Sequence, residues 1–214
     1  MSNRKIVFIV TEGETDDLFY KKVLDVLKSK IPEGKFCADR IESICVKGFG
    51  NFDNKLITKY INSLETFYKD FHIEKRKKSD NVEVDVFLCY DEDVFIGRKK
   101  PPINWKDIEK KLYKNNATNV FHIKANKTIE DFILLDFEGV LNYLRLPSSK
   151  LNSKSYKGLE GLKKLFKKAN KAYIKGNKCE KLLDNLDFNI IEAKLCKQLI
   201  ELCKVIGVQC QKIK

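Results

Sequence analysis

The stretch Ile6-Val7-Phe8-Ile9-Val10-Thr11-Glu12-Gly13-Glu14-Thr15-Asp16 decides the fold. An unbroken apolar run this short, with no polar alternation, reads as a strand buried on both faces. It stops abruptly at acids. A second stretch, Val84-Asp85-Val86-Phe87-Leu88-Cys89-Tyr90-Asp91-Glu92-Asp93, repeats the pattern. In an open α/β sheet, ligands bind outside the carboxyl ends of parallel strands. Two such ends side by side gather Glu12, Asp16, Asp91 and Asp93 into one pocket. Hard oxygen ligands of this kind hold Mg²⁺ or Mn²⁺.

Working outward, Thr15 reads as an N-cap, with Asp16 and Asp17 at the positive end of a helix dipole. Leu18, Phe19, Val23, Leu24 and Leu27 give that helix an apolar stripe, and Pro32 and Gly34 end it. A strand at 40–46 leads into the turn Lys47-Gly48-Phe49-Gly50-Asn51 and a helix from about 53 to 70. The run Lys75-Arg76-Lys77-Lys78 is a solvated loop. The third strand, at 84–90, is followed by a basic loop with Arg98, Lys99 and Lys100. A helix near 105–114, a strand at 118–124 and a helix capped by Thr128 complete the alternation. Strands alternating with helices predict an α/β fold with a mostly parallel four-stranded sheet flanked by helices. From about residue 137 only helical pattern remains. The expected organisation is an α/β domain over 1–136, carrying the acidic strand ends, and a basic α-helical extension over 137–214 packed on it.

The 214 residues carry a formal net charge of +12, unevenly placed. Residues 1–107 hold 20 Lys and Arg against 19 Asp and Glu, whereas residues 108–214 hold 22 against 11. That one-sidedness points to a polyanion partner for the second half. Segment 148–181 has eleven lysines and two glutamates. Within it Leu159, Leu162, Phe166, Ala169 and Tyr173 recur at helical spacing, leaving Lys163, Lys164, Lys167, Lys168 and Lys171 on the other faces. Such a helix can track phosphates or lie on an anionic membrane, or it can be a core-docked helix with a solvated face. A final helix over about 189–206 is expected to bury Ile190, Ile191, Leu195, Leu199, Leu202 and Val205. The seven cysteines form no C-x-x-C pair, and no apolar stretch suits a membrane span or a signal peptide. Reduced thiols in the cytoplasm, and no membrane, are therefore expected. Cys196 and Cys203 read as core.

Glu12-Gly13-x-x-Asp16 after one strand, Gly48 and Gly50 after the next, and Asp91-x-Asp93 after the third resemble the Toprim domain superfamily. With no topoisomerase breakage domain or primase zinc module, the resemblance narrows to its OLD-type and RloB-like nuclease branch. Ile129-Glu130-Asp131 is similar to the acidic string that opens a late helix in those members. The resemblance covers about residues 4–135 and implies a Toprim-like fold. It also implies a nuclease using two Mg²⁺ or Mn²⁺ ions, in some relatives an antiphage defence effector.

On this reading Glu12, Asp91 and Asp93 ligate metal, and Glu12 can instead act as general acid or base. Asp16 and Glu130 are candidates for a second ion, with Asp131, Asp17, Glu14 and Glu92 in reserve. A cation is expected at the transition-state phosphate. Lys124 and Lys127 follow the fourth strand, where OLD-type nucleases place a comparable lysine. His72 and His122 read as loop and packing residues. The expected activity is metal-dependent endonucleolytic cleavage of DNA or structured RNA. The alternatives are a non-catalytic nucleic-acid-binding or partner-docking module, and a phosphotransfer enzyme for small metabolites. There is no Walker A string, so an ATPase partner of the OLD type would have to be a separate chain. Homodimerisation is left open.

Overall fold

β1 (Arg4–Thr11) is the strand read from the first stretch, and its residues from Ile6 to Val10 are buried on both sides of the sheet. It pairs in parallel with β2 (Arg40–Cys45) and with β3 (Val82–Asp91); β3 pairs in parallel with β4 (Asn119–Ala125). The order is β2-β1-β3-β4, an all-parallel α/β sheet. The computed structural model describes residues 4–32, 35–73, 82–92, 103–125 and 127–208. Asp93, the basic loop residues Arg98, Lys99 and Lys100, and the run Lys75–Lys78 lie outside them.

Period-two alternation sends successive side chains of each strand to opposite faces. Ile6, Phe8, Val10, Val84, Val86 and Leu88 face α3 (Leu56–Asp70) and α4 (Trp105–Lys114). Val7, Ile9, Phe87, Cys89 and Ile123 face α1 (Glu14–Ser29). That second face also takes α5 (Ile129–Ile133), α6 (Phe137–Leu144) and α7 (Gly158–Lys168). α8 (Glu180–Leu183), α9 (Phe188–Leu195) and α10 (Ile200–Ile206) complete it. Residues from the helical part, such as Leu162, Leu165, Ile191 and Leu202, thus share one apolar cluster with the sheet.

Several local expectations need correction. Thr15 lies inside the first turn of α1, whose cap is Gly13. The helix expected over 53–70 is divided at Lys55 into α2 (Asn51–Asn54) and α3. The division lets Phe52 pack on Trp105, with ring centroids 5.2 Å apart, while Tyr60 packs on Phe8. α7 ends at Lys168, and Asn170 follows with φ 53°, a left-handed conformation that halts a helix and that Asn tolerates. Tyr173 therefore lies beyond the helix, although its ring still packs on Phe166. The final helix is broken at Cys196–Leu199 into α9 and α10, which leaves Ile190 41% exposed while Leu199 and Leu202 are buried. No Gly or Pro marks that break, so periodicity alone runs through it. Cys203 is buried as expected, and Cys196 is half-buried.

A buried carboxylate stitches the helical part together. Asp136 caps α6 by accepting from the Gly139 N–H (3.0 Å) and reaches across to accept from the Asp187 N–H (2.7 Å) at the start of α9. A Cβ on Gly139 would stand 2.1 Å from Asp136 Oδ2. Gly139→Ala must therefore push this carboxylate off both donors while it stays buried. The expected loss is about 2 kcal/mol or more of unfolding free energy, read from the urea midpoint at constant slope.

Candidate functional site

The strand order places a topological switch between β1 and β3: from β1 the chain goes to β2 on one side, and β3 lies on the other. A crevice opens at such a point beyond the strand ends. Glu12 is the first residue after β1, and its carbonyl accepts from the Gly48 N–H (2.8 Å), tying the turn after β1 to the turn after β2. Asp91 closes β3. Asp16 comes from the first turn of α1, where Gly13 permits a close approach, since a Cβ there would stand 3.2 Å from Asp16 Oδ2. Glu130 is the second residue of α5 and is fully buried.

These four acids share one electrostatic environment. Burial first, then Glu12 and Glu130, push the Asp16 carboxyl up to about 7, against the opposing pull of Lys175. Burial, then Asp16, Glu12 and Glu130, push Asp91 up to about 8, again opposed by Lys175. Behind them Tyr20 is buried, and its hydroxyl is held well above its ordinary value by burial and by Cys89, Asp16 and Asp91. Of the site residues expected from sequence, the structure brings together Glu12, Asp16, Asp91 and Glu130, whereas Asp93 lies outside the described residues.

The reserve acids are engaged elsewhere. Asp131 forms a capping box with Thr128 and accepts from the Gly158 N–H at 2.7 Å. Asp17 accepts from the Ser43 hydroxyl and pairs with Lys21 at 2.7 Å. Glu14 pairs with Lys47 at 3.3 Å, and Glu92 stands 4.0 Å from Lys124. The two members of each adjacent pair, Asp16/Asp17 and Glu130/Asp131, thus divide between the cluster and a structural contact.

The cation facing the cluster is one the sequence analysis did not single out. Lys175 Nζ stands 3.2 Å from Glu130 Oε1, and the Tyr173 hydroxyl donates to the same oxygen at 3.1 Å. Burial works against the charge on Lys175, but Glu130, Asp91 and Asp16 outweigh it and hold the ammonium above its ordinary value. The strap from Tyr173 to Gly176 is pinned over the start of α1 by the Gly176 N–H, which donates to Thr15 Oγ1 at 2.8 Å. Gly176 has φ 84°, a left-handed conformation that favours glycine. Thr15 therefore anchors a segment 161 residues away rather than capping its own helix.

Lys124 and Lys127 are exposed at the end of β4 and in the turn before α5. Of the basic-helix residues, Lys164, Lys167 and Lys168 line a shallow cleft with Ser155 and Tyr156. Lys163 pairs with Glu160 at 3.0 Å, and Lys171 Nζ lies 5.0 Å from the centre of the Tyr143 ring. His122 is held between Tyr90 (3.1 Å) and Glu109 (2.9 Å).

Two buried oxygens of the cluster, Asp91 Oδ1 and Glu130 Oε2, accept no hydrogen bond from the described residues. Buried polar atoms are nearly always partnered, so orphaned carboxylate oxygens beside further acids suit a hard cation. Among the described residues, no three acidic, thiol or imidazole side chains already stand as a closed metal cage. No family model matches the chain, and no similarity to a curated protein or a solved structure is detected. No helix among the described residues is long and apolar enough to cross a membrane.

Raised carboxyl values carry a sign. An unfolded Asp titrates near 3.9, so between there and the folded values of about 7 and about 8 the folded chain holds more protons than the unfolded one. Stability of the metal-free protein therefore falls as pH rises through that window, and it levels off above it. Thermal melts from pH 5 to 9 are expected to show this decline, and Asp91→Asn should flatten it and melt higher than the wild type at pH 8.

Proposed function

We propose that this chain is a Mg²⁺- or Mn²⁺-dependent phosphodiester hydrolase, an endonuclease acting on DNA or structured RNA. The observation that carries the reading is the convergence of Glu12, Asp16, Asp91 and Glu130 at the switch point, with buried carboxylate oxygens left unpartnered. Glu12, Asp16, Asp91 and Glu130 would hold the metal. Bound there, a divalent ion stabilises charge on phosphate oxygens and lowers the pKa of water. Glu12, at the mouth of the crevice, is the residue we assign to proton transfer if it is not itself a ligand. The resemblance of Glu12-Gly13-x-x-Asp16 and Asp91-x-Asp93 to Toprim nucleases supports the same assignment. On that resemblance a role in antiphage defence, with a separate ATPase chain, belongs to the proposal.

The basic helix supplies the grip. α7 begins where Gly158 donates to Asp131, the neighbour of Glu130, so the lysine face starts one helix away from the acids. Lys164, Lys167 and Lys168 would neutralise backbone phosphates along that face. Ionic pairing of this kind is read in salt dependence. Replacing the three by Ala should weaken binding to any nucleic acid and lower the slope of log K against log salt by about one unit per lost phosphate contact.

Catalysis is tested by incubating the protein with supercoiled plasmid, transfer RNA and ribosomal RNA in Mg²⁺ or Mn²⁺. Cleavage of at least one substrate is expected, with Asp91→Asn reducing it by about a hundredfold or more. Equal behaviour of wild type and variant on every substrate removes the hydrolase reading. The pairing of Lys175 with Glu130 favours a second reading, a non-catalytic nucleic-acid-binding or partner-docking module, because an internal ammonium already balances part of the cluster. Absence of Mn²⁺ binding in calorimetry, with nucleic-acid binding retained, is its signature.

A further inference from the structure

Lys175 is an unusual neighbour for a metal site. It is brought in by a strap from the helical part, not by the sheet or by the helices next to it. Three contacts aim it. Gly176 fastens the end of the strap to Thr15 in the first turn of α1. Tyr173 shares Glu130 Oε1 with it. The Tyr173 ring packs edge-on against Phe166 of α7, with centroids 5.2 Å apart. Glu130 is fully buried, whereas the Lys175 side chain is 48% exposed. About half of the Lys175 side chain is open to solvent, which leaves its flexible stem room to swing the ammonium off the carboxylate. The other oxygen of Glu130, Oε2, remains buried and unpartnered.

We infer that Lys175 is an internal substitute for the divalent ion: it balances Glu130 while the cluster is empty and is displaced from that carboxylate when the ion binds. The inference rests on the metal reading proposed above and adds a regulatory residue to it. The physical reason is charge. Four carboxylates around one rim repel one another, and an ammonium is a single charge on a flexible stem. A dication carries twice that charge and accepts six or more oxygen ligands, so it competes for Glu130 Oε1 as well as filling the need of Oε2. Every ion that binds must therefore do so against Lys175. The strap thereby links cation loading to a segment that packs on the lysine-rich helix α7.

The experiment pairs affinity with chemical reactivity. Mn²⁺ titration calorimetry is run on wild type, Lys175→Met and Lys175→Arg, each checked for folding by circular dichroism. Lys175→Met, which keeps the length and loses the charge, is expected to bind Mn²⁺ about tenfold more tightly or better, and Lys175→Arg to stay near wild type. In the wild-type protein, needing no variant, site-resolved acetylation of Lys175 read by mass spectrometry should quicken several-fold on adding Mn²⁺, because the released amine is no longer paired. Mn²⁺ binding of equal strength in wild type and Lys175→Met overturns the inference and leaves the metal site standing. So does Mn²⁺ binding that leaves acetylation of Lys175 unchanged or slowed. Failure of wild type and both folded variants to bind Mn²⁺ overturns the metal reading and the inference together.

Discussion

Repulsion among carboxylates crowded at the mouth of a parallel sheet is the constraint on which the rest of this structure turns. Glu12, Asp16, Asp91 and Glu130 come from four different elements, and two of them are driven to values near neutrality by burial and by one another. Nothing in folding requires such an arrangement, and it weakens the fold whenever the acids are charged. Proteins retain sites of this kind where the charge is used. The N-terminal edge of the same sheet is handled differently. There Asp85 is also fully buried, and it is met from within the sheet by an ion pair with Lys5 (3.1 Å) and by the Asn119 amide, which donates to Oδ1 at 2.7 Å. One buried acid has been paired within the sheet, while the cluster at the other edge relies on a lysine from a distant strap.

That contrast explains why the helical part cannot be treated as an accessory. It covers the α1 face of the sheet and closes the same apolar cluster. It also delivers Tyr173 and Lys175 to Glu130 and carries the basic helix α7 against the capping box of α5. Asp136, by holding the starts of α6 and α9 together, keeps this assembly in place. Core, counter-charge and lysine-rich surface are thus built from one stretch of chain.

Legibility followed the range of the interactions. Strand ends and the acids next to them are local features, so Glu12, Asp16 and Asp91 could be read from runs of adjacent residues. Thr128-x-x-Asp131 is a local capping motif that occupies Asp131 and leaves Glu130 to turn inward. Thr15 misled because its hydroxyl serves Gly176 rather than its own helix. Among the eleven lysines of 148–181, nothing in the sequence distinguishes Lys175. Its only local mark is the glycine that follows it. Lys124 and Lys127 are exposed beside the expected strand end, Lys124 4.0 Å from Glu92, the neighbour of Asp91.

The sequence by itself determined the class of the fold, because two-sided apolar strands alternating with amphipathic helices leave a parallel sheet as the economical solution. It also determined which strand ends would be acidic. Tertiary structure decided which cation meets the carboxylates and which partner the Thr15 hydroxyl serves. Those outcomes depend on contacts between residues distant in the chain, Tyr173 with Glu130 across 43 positions and Gly176 with Thr15 across 161. No periodicity or local preference encodes a meeting of that kind; it exists only once the chain has packed.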